Sequence, residues 1–179
     1  MYPALLLIPV LFGPFDLNWN GPEVYVLKGS SKTHRFSVRF KQANFTAGKQ
    51  KLTWVWDETR VCAMPGFIDR GMKRQYYGFD AYPKDEVATT SLSGLLKERA
   101  TRLVSLELMV DGKSWPVPRP LYDDLLCPDL GPSYVRGSIS PDGKTVRVRM
   151  VGSDAAGGYE ADWTFRKDGK HMRKIIDEC

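Results

Sequence analysis

Residues 145–166 read T-V-R-V-R-M-V-G-S-D-A-A-G-G-Y-E-A-D-W-T-F-R. Val146, Val148 and Met150 alternate with Arg147 and Arg149, and after a loop Tyr159, Ala161, Trp163 and Phe165 alternate with Glu160, Asp162 and Thr164. A period of two sends successive side chains to opposite faces, so both segments read as half-buried strands. Paired as neighbours, they place Arg147 and Arg149 on one outer face with Glu160 and Asp162. Opposed charges across strands contribute roughly 0.2–1 kcal/mol a pair, which favours that register.

The flanks extend the pattern in both directions. YVRGSIS (134–140) leads through Ser140-Pro141-Asp142-Gly143 into the first of these strands, and Asp168-Gly169 leads from the second into KHMRKII (170–176). Asp-Gly between alternating runs is a strong short-range hairpin signal. The C-terminal part is therefore predicted to be a four-stranded antiparallel meander.

Upstream, EVYVL (23–27) and HRFSVRFKQANF (34–45) are strand-like, with Phe36, Val38 and Phe40 facing one way and Arg35, Ser37, Arg39 and Lys41 the other. KLTWVWDE (51–58) is a further strand, and the intervening TAGKQ (46–50) predicts a hairpin between the two. Met64-Pro65-Gly66 predicts a break and Asp69-Arg70-Gly71 a turn, before the aromatic run RQYYGFDAYP (74–83) with a bulge at Gly78. Ser91 is the expected N-cap of a short helix over 91–103, which Gly94 weakens by roughly 1 kcal/mol relative to alanine. From Val104 to Val110 the period is two again, in an almost wholly buried strand; Asp111-Gly112-Lys113 turns it and Ser114–Pro118 follows as an edge. Residues 119–126 carry Pro120 at a first turn and predict one or two helical turns. These elements give an α+β fold, predominantly antiparallel β, with the C-terminal four-stranded meander and one or two short helices packed on the sheet.

A chain of 179 residues fits a single β-rich domain over 23–179 behind an apolar N-terminal segment, 1–22. The net charge of +5 and pI near 9.1 permit an anionic partner without requiring one. Residues 2–15 are apolar and uncharged, about the length of a secretory h-region and too short to span a bilayer as a helix. They support an exported protein, periplasmic or extracellular, with an atypical start, because Pro3, Pro9 and Pro14 interrupt the run and no Lys or Arg precedes Lys28. The other reading is an apolar segment packed on a cytoplasmic domain. Cys62, Cys127 and Cys179 allow one disulfide and one thiol in an oxidising compartment, with all three pairings open. No Cys-x-x-Cys or His-rich spacing points to a metal, and no motif points to a cofactor.

Two surfaces are candidates for function. The loop Gly152–Tyr159 is longer than the two to five residues that close most hairpins. Ser153 and Asp154 there offer a hydroxyl and a carboxylate, Gly157 and Gly158 allow close backbone approach, and Tyr159 is an anchor of the kind favoured at interfaces. The stretch AGGYEAD (156–162) resembles in kind the Ser-Gly-rich loop with a tyrosine that bacterial periplasmic lysozyme inhibitors insert into an enzyme cleft. That likeness covers fewer than ten residues, and a chain of charge +5 is repelled at long range by lysozymes, which are commonly cationic. The second surface is the basic face carrying Arg35, Arg39 and Lys41, within a segment, 28–51, that holds seven Lys or Arg and no acid.

Alternation sets the phenylalanines of that segment opposite its arginines, which makes them core and argues against stacking on nucleic-acid bases. A phospholipid headgroup or an anionic glycan suits the patch as well as any other anion. For catalysis the sequence offers His34 and His171, Asp124 and Asp154 as carboxylates, and Cys62 with no neighbouring base. The loop 152–158 precedes a strand and not a helix, so it lacks the N-terminus that a phosphate loop needs. The expected function is a small exported or cell-envelope binding domain without catalysis, with a protein or anionic ligand as partner, no specific nucleic acid and no transmembrane segment. The alternatives are a hydrolase using Asp and His, and an enzyme inhibitor or immunity-like protein acting through 152–159.

Overall fold

Each alternating run becomes a strand in the computed structural model, which describes residues 22–49, 51–58, 61–69, 72–80, 91–153 and 158–177. In chain order the elements are β1 (Val24–Ser30), β2 (Arg35–Asn44), β3 (Lys51–Asp57), β4 (Cys62–Asp69), β5 (Met72–Gln75), α1 (Leu92–Arg99), β6 (Thr101–Val110), β7 (Lys113–Trp115), a 3-10 turn (Arg119–Leu121), β8 (Val135–Ile139), β9 (Thr145–Gly152), β10 (Tyr159–Arg166) and β11 (Met172–Asp177). They form three antiparallel sheets of order β1-β2-β6-β7, β11-β10-β9-β8 and β3-β4-β5. The fold is α+β and β-rich, with the C-terminal meander in the expected order.

Register follows the charges. Arg149 sits opposite Asp162, and its Nε and Nη2 donate to the two carboxylate oxygens at 2.9 and 3.1 Å. Arg147 lies opposite Thr164 on the same outer face. The inner faces of the two four-stranded sheets share one core, in which Phe36, Val38, Phe40, Leu106 and Leu108 meet Val146, Val148, Met150, Trp163 and Phe165. Phe40 and Trp163 have ring centroids 6.2 Å apart, and Trp163 and Phe165 6.4 Å, within the range of favourable aromatic pairs. The Trp163 indole N–H, unable to reach water, donates to the Leu121 carbonyl at 2.7 Å.

Both ends of this two-layer arrangement are closed. At one, β1 packs against β8, where a Cβ on Gly137 would come within 2.8 Å of Leu27 Cδ2. At the other, His171 bridges the β10–β11 turn to the chain after β7: its Nδ1 accepts the Arg166 N–H at 3.1 Å and its Nε2 lies 2.9 Å from the Pro116 carbonyl. Those partners fix the neutral ring as the Nε2–H tautomer. The β6–β7 turn takes Asp111 and Gly112 to φ 49° and 77°, the pair of positive values that a type I′ two-residue hairpin requires. Asp111 Oδ1 accepts the Arg35 N–H at 2.8 Å and Oδ2 lies 2.7 Å from His34 Nδ1. The Arg35 N–H first, then His34, hold the Asp111 carboxyl below its usual range.

The third sheet and α1 enclose a second core of Phe45, Phe67, Tyr76, Leu92, Leu96 and Leu126. Here the structure departs from the sequence reading at four points. No hairpin joins β2 to β3: β2 has both edges occupied by β1 and β6, and β3 pairs with β4 instead. Met64-Pro65-Gly66 does not break the chain but lies inside β4, the middle strand of its sheet. In a strand the N and C=O of one residue point to the same side. The Pro65 carbonyl accepts the Tyr76 N–H at 2.8 Å, so its missing donor faces the β5 side, past the end of that ladder at Gly66–Gln75. The bonds to β3 therefore survive. Third, the helix ends at Arg99, and Thr101–Leu103 already belong to β6, paired with Gln42–Asn44 beyond a register shift. Ser91 stands at the N-cap without a side-chain cap bond. Fourth, the predicted turns over 119–126 shorten to the 3-10 turn Arg119–Leu121.

Candidate functional site

The basic face is larger than β2. Strands β1, β2, β8 and β9 carry Lys28, Arg35, Arg39, Lys41, Arg136, Arg147 and Arg149, and not one Asp or Glu. All seven cations are exposed, because the alternate positions are the ones that fill the core. Since β1 lies against β8, the outward faces of the four strands run on from each other round that edge. Two shallow hollows indent this surface. One, of about 680 Å³, lies between Lys28, Arg35, Ser37 and Met109; the other, of about 580 Å³, between Arg136, Ser138, Arg147, Arg149 and Thr164.

Acids reach the patch only from its margins. Glu23 pairs with Lys41 at 3.3 Å, Glu107 stands opposite Arg39 in register, Asp111 lines the first hollow, and Glu160 and Asp162 engage Arg149, with Asp162 on the wall of the second hollow. Arg136 and Arg147 flank Ser138 with no carboxylate partner among the described residues. Val24 and Val26 are exposed beside the cations on β1. Arg35, Arg39 and Lys41 are legible in the sequence, but their continuity with Arg136 and Arg147 is not, because the contact of β1 with β8 spans more than 100 residues of chain.

The loop candidate divides. Asp154 and Gly157 lie outside the described residues. Ser153, at φ 59°, donates its N–H to the Cys127 carbonyl at 3.0 Å, and Gly158 is buried. Tyr159 is 0% exposed, and its hydroxyl donates to the Leu126 carbonyl at 3.1 Å. An anchor for a partner has to be accessible, so the expectation for Tyr159 is corrected: it is a core residue. Gly152 serves the same packing, since a Cβ there would sit 2.4 Å from the Tyr159 ring. Gly152→Ala is expected to push that ring from its seat and cost about 1–3 kcal/mol, as overpacking does, which urea denaturation would measure.

No protein-family model, curated protein or solved structure matches this chain. Charge and burial are what distinguish one surface of the molecule from another. Asp124 is buried and bound by two arginines: Arg173 holds both its oxygens and Arg74 lies 3.4 Å away. Neither histidine is among its partners, for His34 pairs with Asp111 and His171 with backbone. Cys62 Sγ lies 3.7 Å from Asp80 Oδ2, and no disulfide joins Cys62 to Cys127. No helix among the described residues is long and apolar enough to cross a membrane.

Proposed function

We propose that this chain is a non-catalytic binding domain, exported or associated with the cell envelope, whose basic face takes an anionic glycan. The single observation behind this reading is the set of seven exposed cations on four neighbouring strands that contain no acid. Such a field raises the local concentration of a polyanion and speeds its capture. Curvature favours a flexible polymer over a bilayer, because a chain can follow the surface round the β1–β8 edge while a flat membrane meets only part of it. The apolar stretch 2–15 supports the export half of the proposal, which N-terminal sequencing of the protein from its own host would check.

A sulfated polysaccharide such as heparin is a suitable probe. Arg39→Glu and Arg147→Glu are each expected to weaken binding about threefold, the scale of one exposed ion pair, with wild-type affinity falling as salt rises. Wild-type affinity in both variants, or binding indifferent to salt, would reject the basic face as the site. Stronger binding to anionic vesicles than to heparin would reject the glycan.

A further inference from the structure

A second basic site, separate from the sheet faces, lies where the third sheet meets the rest of the fold. A cavity of about 190 Å³ there is lined by Arg74 from β5, Arg102 from β6, Arg119 from the 3-10 turn, Tyr76, Thr46 and Asp123. A space of that size has room for a compact group and not for a polymer.

Two of its three guanidinium groups are held in place. Arg102 Cζ stands 5.5 Å from the Phe45 ring centroid and Arg74 Cζ 5.8 Å from that of Phe67, close enough for cation–π attraction. Tyr76 fixes both platforms, with ring centroids 5.5 Å from each of Phe45 and Phe67. The Tyr76 phenol carries its proton at neutral pH, and burial raises it further above its ordinary value against the pull of Arg102.

The charge is unbalanced. Asp123 and Asp124 both draw on Arg74, and Asp123 also lies 3.8 Å from Arg119. Arg102 has no carboxylate partner among the described residues. Three guanidinium groups line a cavity that has one carboxylate of its own. Fork-shaped donors on rigid seats are the geometry that recognises planar or tetrahedral oxyanions, and partial enclosure strengthens the attraction.

We propose that this pocket binds a compact tetrahedral oxyanion, a phosphate or sulfate group, with Arg102 as its principal ligand, Arg119 and Arg74 as flanking ligands, and the Tyr76 and Thr46 hydroxyls as further donors. Asp123 is the internal competitor: it pairs with Arg74 and opposes the incoming charge. The ligand is either a free anion or the phosphorylated end of a larger molecule, and the chemistry recognised is the same.

Calorimetric titration of the full chain with inorganic phosphate, at ionic strength held constant with chloride, tests this. Saturable one-site binding is expected, weakened about tenfold or more by Arg102→Gln and tightened by Asp123→Asn. Should Arg102→Gln fail to fold by circular dichroism, Arg119→Ala, at an exposed side chain, is expected to show a loss in the same direction. No binding beyond that of chloride, or wild-type affinity in whichever of these arginine variants folds, would overturn the proposal. Titration with phenyl phosphate separates the sources: tighter binding than inorganic phosphate assigns the site to an ester, weaker binding to the free anion, and both support the pocket. Heparin binding is expected to survive Arg102→Gln and phosphate binding to survive Arg39→Glu, so this site and the basic face stand or fall separately.

Discussion

Tyr159→Ala is expected to lower the stability of the fold by about 3–5 kcal/mol, the range for removing a large aromatic from a packed interior. The ring has no exposure and is closed in by backbone: a Cβ on Gly152 or on Gly78 would lie within 2.6 Å of it. A hole of that size cannot refill from glycines. Tyr159→Phe is the informative companion, because it keeps the ring and leaves the Leu126 carbonyl without its 3.1 Å donor. A cost of about 1–3 kcal/mol is expected for that unsatisfied acceptor. Urea denaturation with an unchanged m-value would measure both. A Tyr159→Ala protein of wild-type stability would contradict the packing account and return the residue to the loop.

The same tyrosine sets an alkaline limit. Burial pushes its phenol well above the ordinary value of 10.0. In the unfolded chain it loses its proton near that ordinary value while the folded state still retains it. The stability that rests on this neutral phenol is therefore fully present below pH 10.0 and is lost as pH rises past it. Tyr159→Phe is expected to flatten this decline but not to abolish it, since burial also raises Tyr76 and Tyr122.

Why Tyr159 reads as an anchor from sequence and proves to be core is instructive. Its alternation with Glu160 was visible and does place it inward. What the sequence conceals is the far wall, because Leu126 and Gly78 reach the ring from 33 and 81 positions away. The meander was legible for the opposite reason. Its strands are joined by short turns with Asp-Gly signals, and Arg149 finds Asp162 only 13 residues on. β2 shows the boundary between the two cases. Its faces follow from Phe36, Val38 and Phe40, but its partner β6 begins beyond α1, and the nearer β3 was the natural wrong choice. Pro65 misled because a proline forbids a strand only where its N–H is needed, and that depends on where the β5 ladder ends. The arginine pocket escapes sequence reading altogether, since Arg74, Arg102 and Arg119 come from three separate elements.

Asp124→Ala is expected to cost about 3–5 kcal/mol, because it strands a partly desolvated arginine. Only 5% of the Asp124 side chain and 12% of that of Arg173 are exposed, and Arg173 Nη2 donates to Asp124 Oδ2 at 2.8 Å while Nη1 holds the other oxygen. Arg173 also lies over the Tyr77 ring, 5.9 Å from its centroid, so it cannot swing out to water without giving up that contact. Removing both charges is a different matter. The double variant Asp124→Leu/Arg173→Met leaves no unpaired ion and is expected to be more stable than Asp124→Ala alone, which chemical denaturation of the full cycle would show. A single-variant cost below about 1 kcal/mol would mean that water already reaches the pair. Asp124 has a further partner in Arg74, 3.4 Å away on the wall of the arginine pocket. Its loss removes a negative charge beside that pocket, so phosphate should bind the folded fraction of Asp124→Ala more tightly than it binds wild type. Stability and affinity then move in opposite directions in one protein, a combination that loosening of the fold cannot produce and that an electrostatic role for the pocket requires.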